Sequence, residues 1–107
     1  MADKIELALQ AVEAAKTTGK LRKGSNEVTK ALERGQAKLV VYAQDVSPKE
    51  IILHLPLLAK EKNVPCVEVG TKEELGAAAG LNVGTAAVAV VQEGNAKDLT
   101  KELGRMA

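Results

Sequence analysis

Gly24 to Gly35, GSNEVTKALERG, is the stretch around which the rest of this chain is read. A glycine and a serine open the run and a second glycine closes it. The segment therefore predicts a short helix over residues 25 to 34, with Gly35 as its C-terminal stop. Its opening carries an amide, a carboxylate and an amine: Asn26, Glu27 and Lys30. Asn26 and Lys30 are four apart and share a face, with Glu27 beside Asn26 at the helix mouth. A helix N-terminus presents free backbone N–H groups and a partial positive charge, which suits phosphate. The trio adds groups that read polar edges, and the combination points to nucleic acid.

Charge is unevenly distributed. The chain carries a net +1. Residues 16 to 38 nevertheless hold seven basic groups (Lys16, Lys20, Arg22, Lys23, Lys30, Arg34, Lys38) against two acids, Glu27 and Glu33. This asymmetry describes a focused anion-binding face or, equally well, a solvated helix followed by a basic turn.

Composition narrows the function classes. A chain of 107 residues with 46% hydrophobic content is one domain with a proper core. No apolar run approaches the roughly 18 residues of a membrane span, so no membrane partner is expected. The start, MADKIELALQAVEAAK, is an acid-bearing amphipathic run unlike a secretory or transit peptide, and the expected location is intracellular, in the cytoplasm. One cysteine, Cys66, excludes an internal disulfide and a multi-cysteine metal site; in VPCVEV it reads as a small buried strand residue. There is no Trp, no Phe and one Tyr, so a base-stacking platform cannot be built. A nucleic-acid ligand must then be read by its shape or its exposed base edges.

Outside the central stretch, residues 3 to 17 show a helical apolar period and Gly19 ends that helix. Residues 20 to 23 form a basic extended piece. KLVVYA (38–43), CVEV (66–69) and TAAVAVVQ (85–92) read as strands, the last as a central one. Ser47-Pro48-Lys49-Glu50 is a capping box that opens the helix IILHLPLLAKEK, with Pro56 inside it and Asn63 stopping it. Thr71-Lys72-Glu73-Glu74 is a second capping box, for a helix reaching about Ala79. Residues 95 to 105 form a closing helix. Helices alternate with strands, which predicts an α/β domain with helices on both faces of a sheet.

Each candidate site has a plainer counterpart. Asn26 assisting a cap, Glu27 complementing the helix dipole and a solvated Lys30 would account for the trio structurally. Against that, a carboxylate within a basic face repels phosphates unless it accepts from base donors such as guanine N1–H and N2–H. A sheared G·A pair leaves that guanine edge free. Gly80-Leu81-Asn82-Val83-Gly84 reads either as a loop folded back on the core or as an exposed apolar shelf for an extruded nucleotide. His54 has no metal-ligating neighbour at ligand spacing and reads as a satisfied helix histidine; Asp45 reads as a turn residue.

GSNEVTKALERG, AKLVVYAQDVSPKEIILHLPLLAKEKNVPCVEV and LGAAAGLNV together resemble the kink-turn-binding ribosomal protein family, its archaeal large-subunit members most closely, over roughly residues 3 to 105. The resemblance implies a three-layer α-β-α sandwich around a four-stranded mixed sheet. It implies recognition of kink-turn and kink-loop RNA with tandem sheared G·A pairs. It implies a non-enzymatic role in the large ribosomal subunit, in box C/D and H/ACA guide particles and in ribonuclease P. The implied partners are ribosomal RNA, the guide RNAs, ribonuclease P RNA and guide-particle proteins recruited after RNA binding. The free protein is expected to be a monomer, and no cofactor is implied.

Carried onto this sequence, Asn26, Glu27 and Lys30 fall on the family's guanine-reading positions. Gly24 falls on the preceding backbone contact, and Lys23 and Arg34 on phosphate contacts. Leu81, Asn82 and Val83 fall in the loop that packs on the bulge, and Ile51 near the flipped-out base. The chain departs from the family at Ser47, often acidic in relatives, and at Asn82 and Gly84, where a charged residue and a proline are common. Two other classes remain to be weighed: a basic-faced protein-interaction module, and a small metal-dependent α/β enzyme using Asp45 and His54.

Overall fold

The computed structural model describes residues 4–44 and 50–106, with side chains over 5–44 and 55–105. In chain order the elements are α1 (Lys4–Thr18), β1 (Lys20–Lys23), α2 (Ser25–Glu33), β2 (Leu39–Ala43), α3 (Glu50–Glu61), β3 (Cys66–Val69), α4 (Lys72–Ala78) and β4 (Ala87–Gln92). A 3-10 turn, Gly94–Ala96, then leads into α5 (Lys97–Met106). The strands form one sheet in the order β1-β4-β2-β3. β2 and β3 run parallel and the other pairs antiparallel, so the sheet is mixed, as expected. α1 packs with α4 and α5, and α2 packs with α3, giving helices on both faces.

The two central strands are the most apolar because both their faces are covered. Leu39, Val40, Val41 and Ala43 of β2 and Ala87, Val88, Ala89 and Val90 of β4 are buried. From α1, Ala8, Ala11, Val12 and Ala15 close one side of the core with the short side chains that let a helix approach a sheet tightly. Tyr42 is half-buried on β2 opposite Glu68 of β3. Burial, the nearby Glu68 and Cys66 charges and a hydrogen bond with Glu68 push its hydroxyl up to about 12.

Helix ends follow the sequence closely. After α2, the Gly35 N–H donates to the Leu32 carbonyl (3.1 Å) and the Gln36 N–H to that of Ala31 (2.9 Å). This paired closure needs a left-handed residue, and Gly35 has φ 71°. Asn63 does the same for α3 at φ 58°, its N–H reaching Lys60 and that of Val64 reaching Ala59. Pro56 lies within α3. The capping box expected at Ser47-Pro48-Lys49 lies outside the described residues.

The extended piece expected over residues 20 to 23 is a sheet strand, with β4 supplying its backbone partners. Two expectations need correction. β4 begins at Ala87 rather than residue 85: the Thr85 N–H is taken by the Lys72 carbonyl (3.1 Å), so Thr85 belongs to the loop. Cys66 is half-buried rather than buried, since it opens the edge strand β3.

Candidate nucleic-acid interface

α2 owes its position to one backbone bond. The Gly24 N–H donates to the Ala87 carbonyl at 2.8 Å, tying the residue before α2 to the first residue of β4. Gly24 holds φ 96° and ψ 146°, outside the comfortable range of a residue with a Cβ. The first intrahelical bond runs from the Val28 N–H to the Gly24 carbonyl (3.0 Å). The amides of Ser25, Asn26 and Glu27 come before it, and no side chain among the described residues caps them. Asn26 therefore does not serve as the cap.

Val28, Ala31 and Leu32 are buried and turn the rest of the helix outward. Asn26, Glu27, Lys30 and Arg34 are all exposed, as is Lys23 at the end of β1. The Lys30 Nζ stands 3.8 Å from the Glu27 Oε1, with both side chains about half exposed. Such a pair is worth roughly 0.3–0.5 kcal/mol, so it orients the two groups without resisting a ligand that draws on both. The mouth thus offers backbone donors, one amide, one carboxylate and the cations Lys23 and Lys30. These suit a phosphate together with a purine edge.

The second candidate is anchored differently. The Leu81 N–H donates to the Gly76 carbonyl (2.8 Å), closing α4 onto the loop. A Cβ at Gly76 would overlap the Val83 carbonyl oxygen, and one at Gly84 would press on Lys72. The loop therefore lies tight against α4, and Gly84 secures a close approach to the helix. Its two apolar side chains diverge, so each of the two readings of the loop holds for one of them. Leu81 is half-buried on the core, whereas Val83 is 71% exposed. Asn82 is exposed.

The strand end beyond this loop joins the α2 mouth. The Ala43 N–H donates to the Ala86 carbonyl (2.9 Å) and the Gln44 N–H to that of Val69 (3.0 Å), while Ala87 accepts from Gly24. The residues leaving β1, β2 and β3 and those entering β4 therefore meet at one end of the sheet. Ile51 belongs to the first turn of α3, but its side chain and that of His54 lie outside the described ones, as do residues Asp45 and Ser47. Among the described residues, no group of three or more His, Cys, Asp or Glu could hold a metal ion. No described helix is long and apolar enough to cross a membrane.

Gly76 was not singled out from the sequence. Its signal was available: a glycine inside a helix gives up about 1 kcal/mol against alanine, which marks a close backbone approach. The basic residues, expected on one face, divide. Lys16 lies along the Gly80 end of the loop, while Lys20, Arg22 and Lys38 border a separate groove that crosses β4 at the sheet end away from the α2 mouth.

Comparison with known proteins agrees with this architecture. The chain is similar to the Giardia lamblia 15.5kD RNA binding protein, with a TM-score of 0.88 and 32% sequence identity over 99% of this chain and 89% of that one. Residues 7–100 match the model of one family, and the protein accordingly belongs to the Ribosomal protein L7Ae/L30e/S12e/Gadd45 family.

Proposed function

We propose that this protein binds RNA, and that its target is a kink-turn or kink-loop containing tandem sheared G·A pairs. The observation that carries the reading is the uncapped mouth of α2, where free amides stand with Asn26, Glu27 and Lys30 on an exposed face. In this reading Glu27 accepts from guanine N1–H and N2–H, while Lys30 and Asn26 address its O6. Gly24 lends a backbone contact, and Lys23 and Arg34 meet phosphates. Val83, the exposed apolar residue of loop 80–84, packs on the unpaired nucleotides, with Leu81 and Asn82 holding and flanking it. Ile51 stands near the flipped-out base.

The role is to fold RNA and recruit proteins to it, without catalysis. The particles that suit such a role are the large ribosomal subunit, box C/D and H/ACA guide ribonucleoproteins and ribonuclease P, with a free monomer in the cytoplasm as the starting species. The membership in a family with ribosomal proteins and the likeness to an RNA binding protein support this assignment.

The test is a titration into a kink-turn RNA beside the same RNA with both G·A pairs replaced by Watson–Crick pairs. Binding to the first that is orders of magnitude tighter is expected. Equal, salt-sensitive binding to both would reduce α2 to a generic anion site.

A further inference from the structure

β1 is the first strand in the sheet order, so it is bonded to β4 on one side and open on the other. Alternation along the strand sends Leu21 towards the core, where it is half-buried, and Lys20 and Arg22 to the opposite face, where both are exposed. The segment that follows α2 adds to them. The Lys38 N–H donates to the Val90 carbonyl at 2.6 Å, which places Lys38 on the β2 side of β4, across that strand from β1. The result is a groove of about 300 Å³ lined by Lys20, Arg22, Gln36, Lys38, Val91 and Gln92. Three cations and two amides line it, with no acid. Neither ion pair among the described residues uses any of these cations.

Lysines on an open edge also discourage strand-to-strand aggregation, and Lys20 and Arg22 would serve that purpose unaided. That explanation leaves out Gln36 and Lys38, which come from a different part of the chain and carry the cationic groove across β4, beyond the open edge. The groove and the α2 mouth stand at opposite ends of the same short strand. Lys20 and Lys23 are the two ends of β1, roughly 10 Å apart along the strand, and Gly24 follows directly.

We infer that this groove holds the phosphodiester backbone of the RNA stem leaving the site at α2. The inference rests on the RNA-binding reading above and extends it to the other end of the sheet. The amides donate to or accept from sugar and phosphate oxygens, and the cations displace counterions, so the groove adds affinity without sequence preference.

The test compares the full-length protein with K20Q/R22Q/K38Q, all three positions being exposed, and with K62Q/K97Q/K101Q, which removes the same charge elsewhere. Each is titrated over a range of salt into a kink-turn RNA with long stems and into one trimmed close to the kink. The groove variant is expected to bind the long-stem RNA roughly 10- to 100-fold more weakly at low salt. Its salt slope should be shallower by about 0.9 for each phosphate it no longer neutralises. On the trimmed RNA it should match the wild type, and the control variant should match the wild type on both. Unchanged binding of the groove variant would overturn the inference, as would equal losses in both variants or equal losses on both RNAs. If the wild type fails to prefer the kink-turn while the groove variant still loses stem binding, the kink-turn reading fails and the groove stands.

Discussion

Two helices begin at the same end of the sheet and treat their first amides in opposite ways. α4 is closed: the Thr71 hydroxyl accepts the Glu74 N–H at 3.1 Å, and Glu73 and Glu74 place two carboxylates in the first turn. An anion approaching that mouth meets a filled acceptor position and like charge. α2 is open: Gly24 brings no side chain, its φ of 96° is unlike that of an ordinary cap, and Lys23 and Lys30 lie nearby. A cap completes a helix, and leaving it out exposes the same amides. In the proposed reading Glu27 gives that open mouth its selectivity, since a lone carboxylate among cations favours a ligand that brings donors as well as charge.

The contrast can be broken by exchanging roles. The largest effect is expected from Glu27→Ala, which should cost about 1–3 kcal/mol of binding to a kink-turn RNA and relax preference for its G·A pairs. Glu74→Ala, at the matching mouth, should leave affinity unaltered. An equal loss from both in a binding titration would mean that acidity at this sheet end, and not the α2 mouth, governs recognition.

Next comes Gly24→Ala. No atom lies within 4 Å of the added Cβ, so its cost is the backbone conformation alone, about 1–2 kcal/mol of stability by urea denaturation. A neutral result would show that α2 enters at a relaxed angle and that its open mouth is incidental. Thr71→Ala should cost about 1 kcal/mol of stability, through the lost cap, and nothing in RNA affinity. If it weakens RNA binding more than it weakens the fold, the closed mouth takes part in the site after all.

The smallest effect concerns the strands beneath both mouths. Tyr42 is held protonated, its hydroxyl pushed up from 10.0 to about 12. The unfolded chain loses that proton first, so the contribution is whole below pH 10 and disappears as pH rises towards 12. Stability should fall across that window, and Tyr42→Phe should flatten the fall. An unchanged alkaline profile in the variant would remove the Tyr42–Glu68 pair from the account of this sheet end.

Much of this was legible in the sequence because it is local. Val28, Ala31, Leu32 and Gly35 dictate α2 within one short window, and Thr71 with Glu74 announces its own cap. Asn63 likewise ends α3 where it should. What was hidden depends on distant partners. KLRK becomes a strand only because Val88 to Gln92 lie alongside it. The closing helix is preceded by a 3-10 turn held by the Asn95 N–H on the Thr18 hydroxyl at 2.8 Å, a bond between residues 77 apart. For the site, the residue types at the α2 mouth were readable, whereas the divergence of Leu81 from Val83 was not. Which of two neighbouring apolar side chains meets the core is set by the close fit of Gly76 against the loop.

The hydrogen bond from Gly24 to Ala87 also governs when the protein becomes competent during its own synthesis. A ribosome delivers GSNEVTKALERG early, and an isolated helix of nine residues is marginal in water. Nothing then fixes the direction of its amides, because the strand that receives Gly24 has yet to be made. Only when residues 87–92 emerge can β1 pair, the sheet close and the mouth of α2 acquire a fixed orientation. The nascent chain is thereby kept from presenting a finished site while most of its fold is missing.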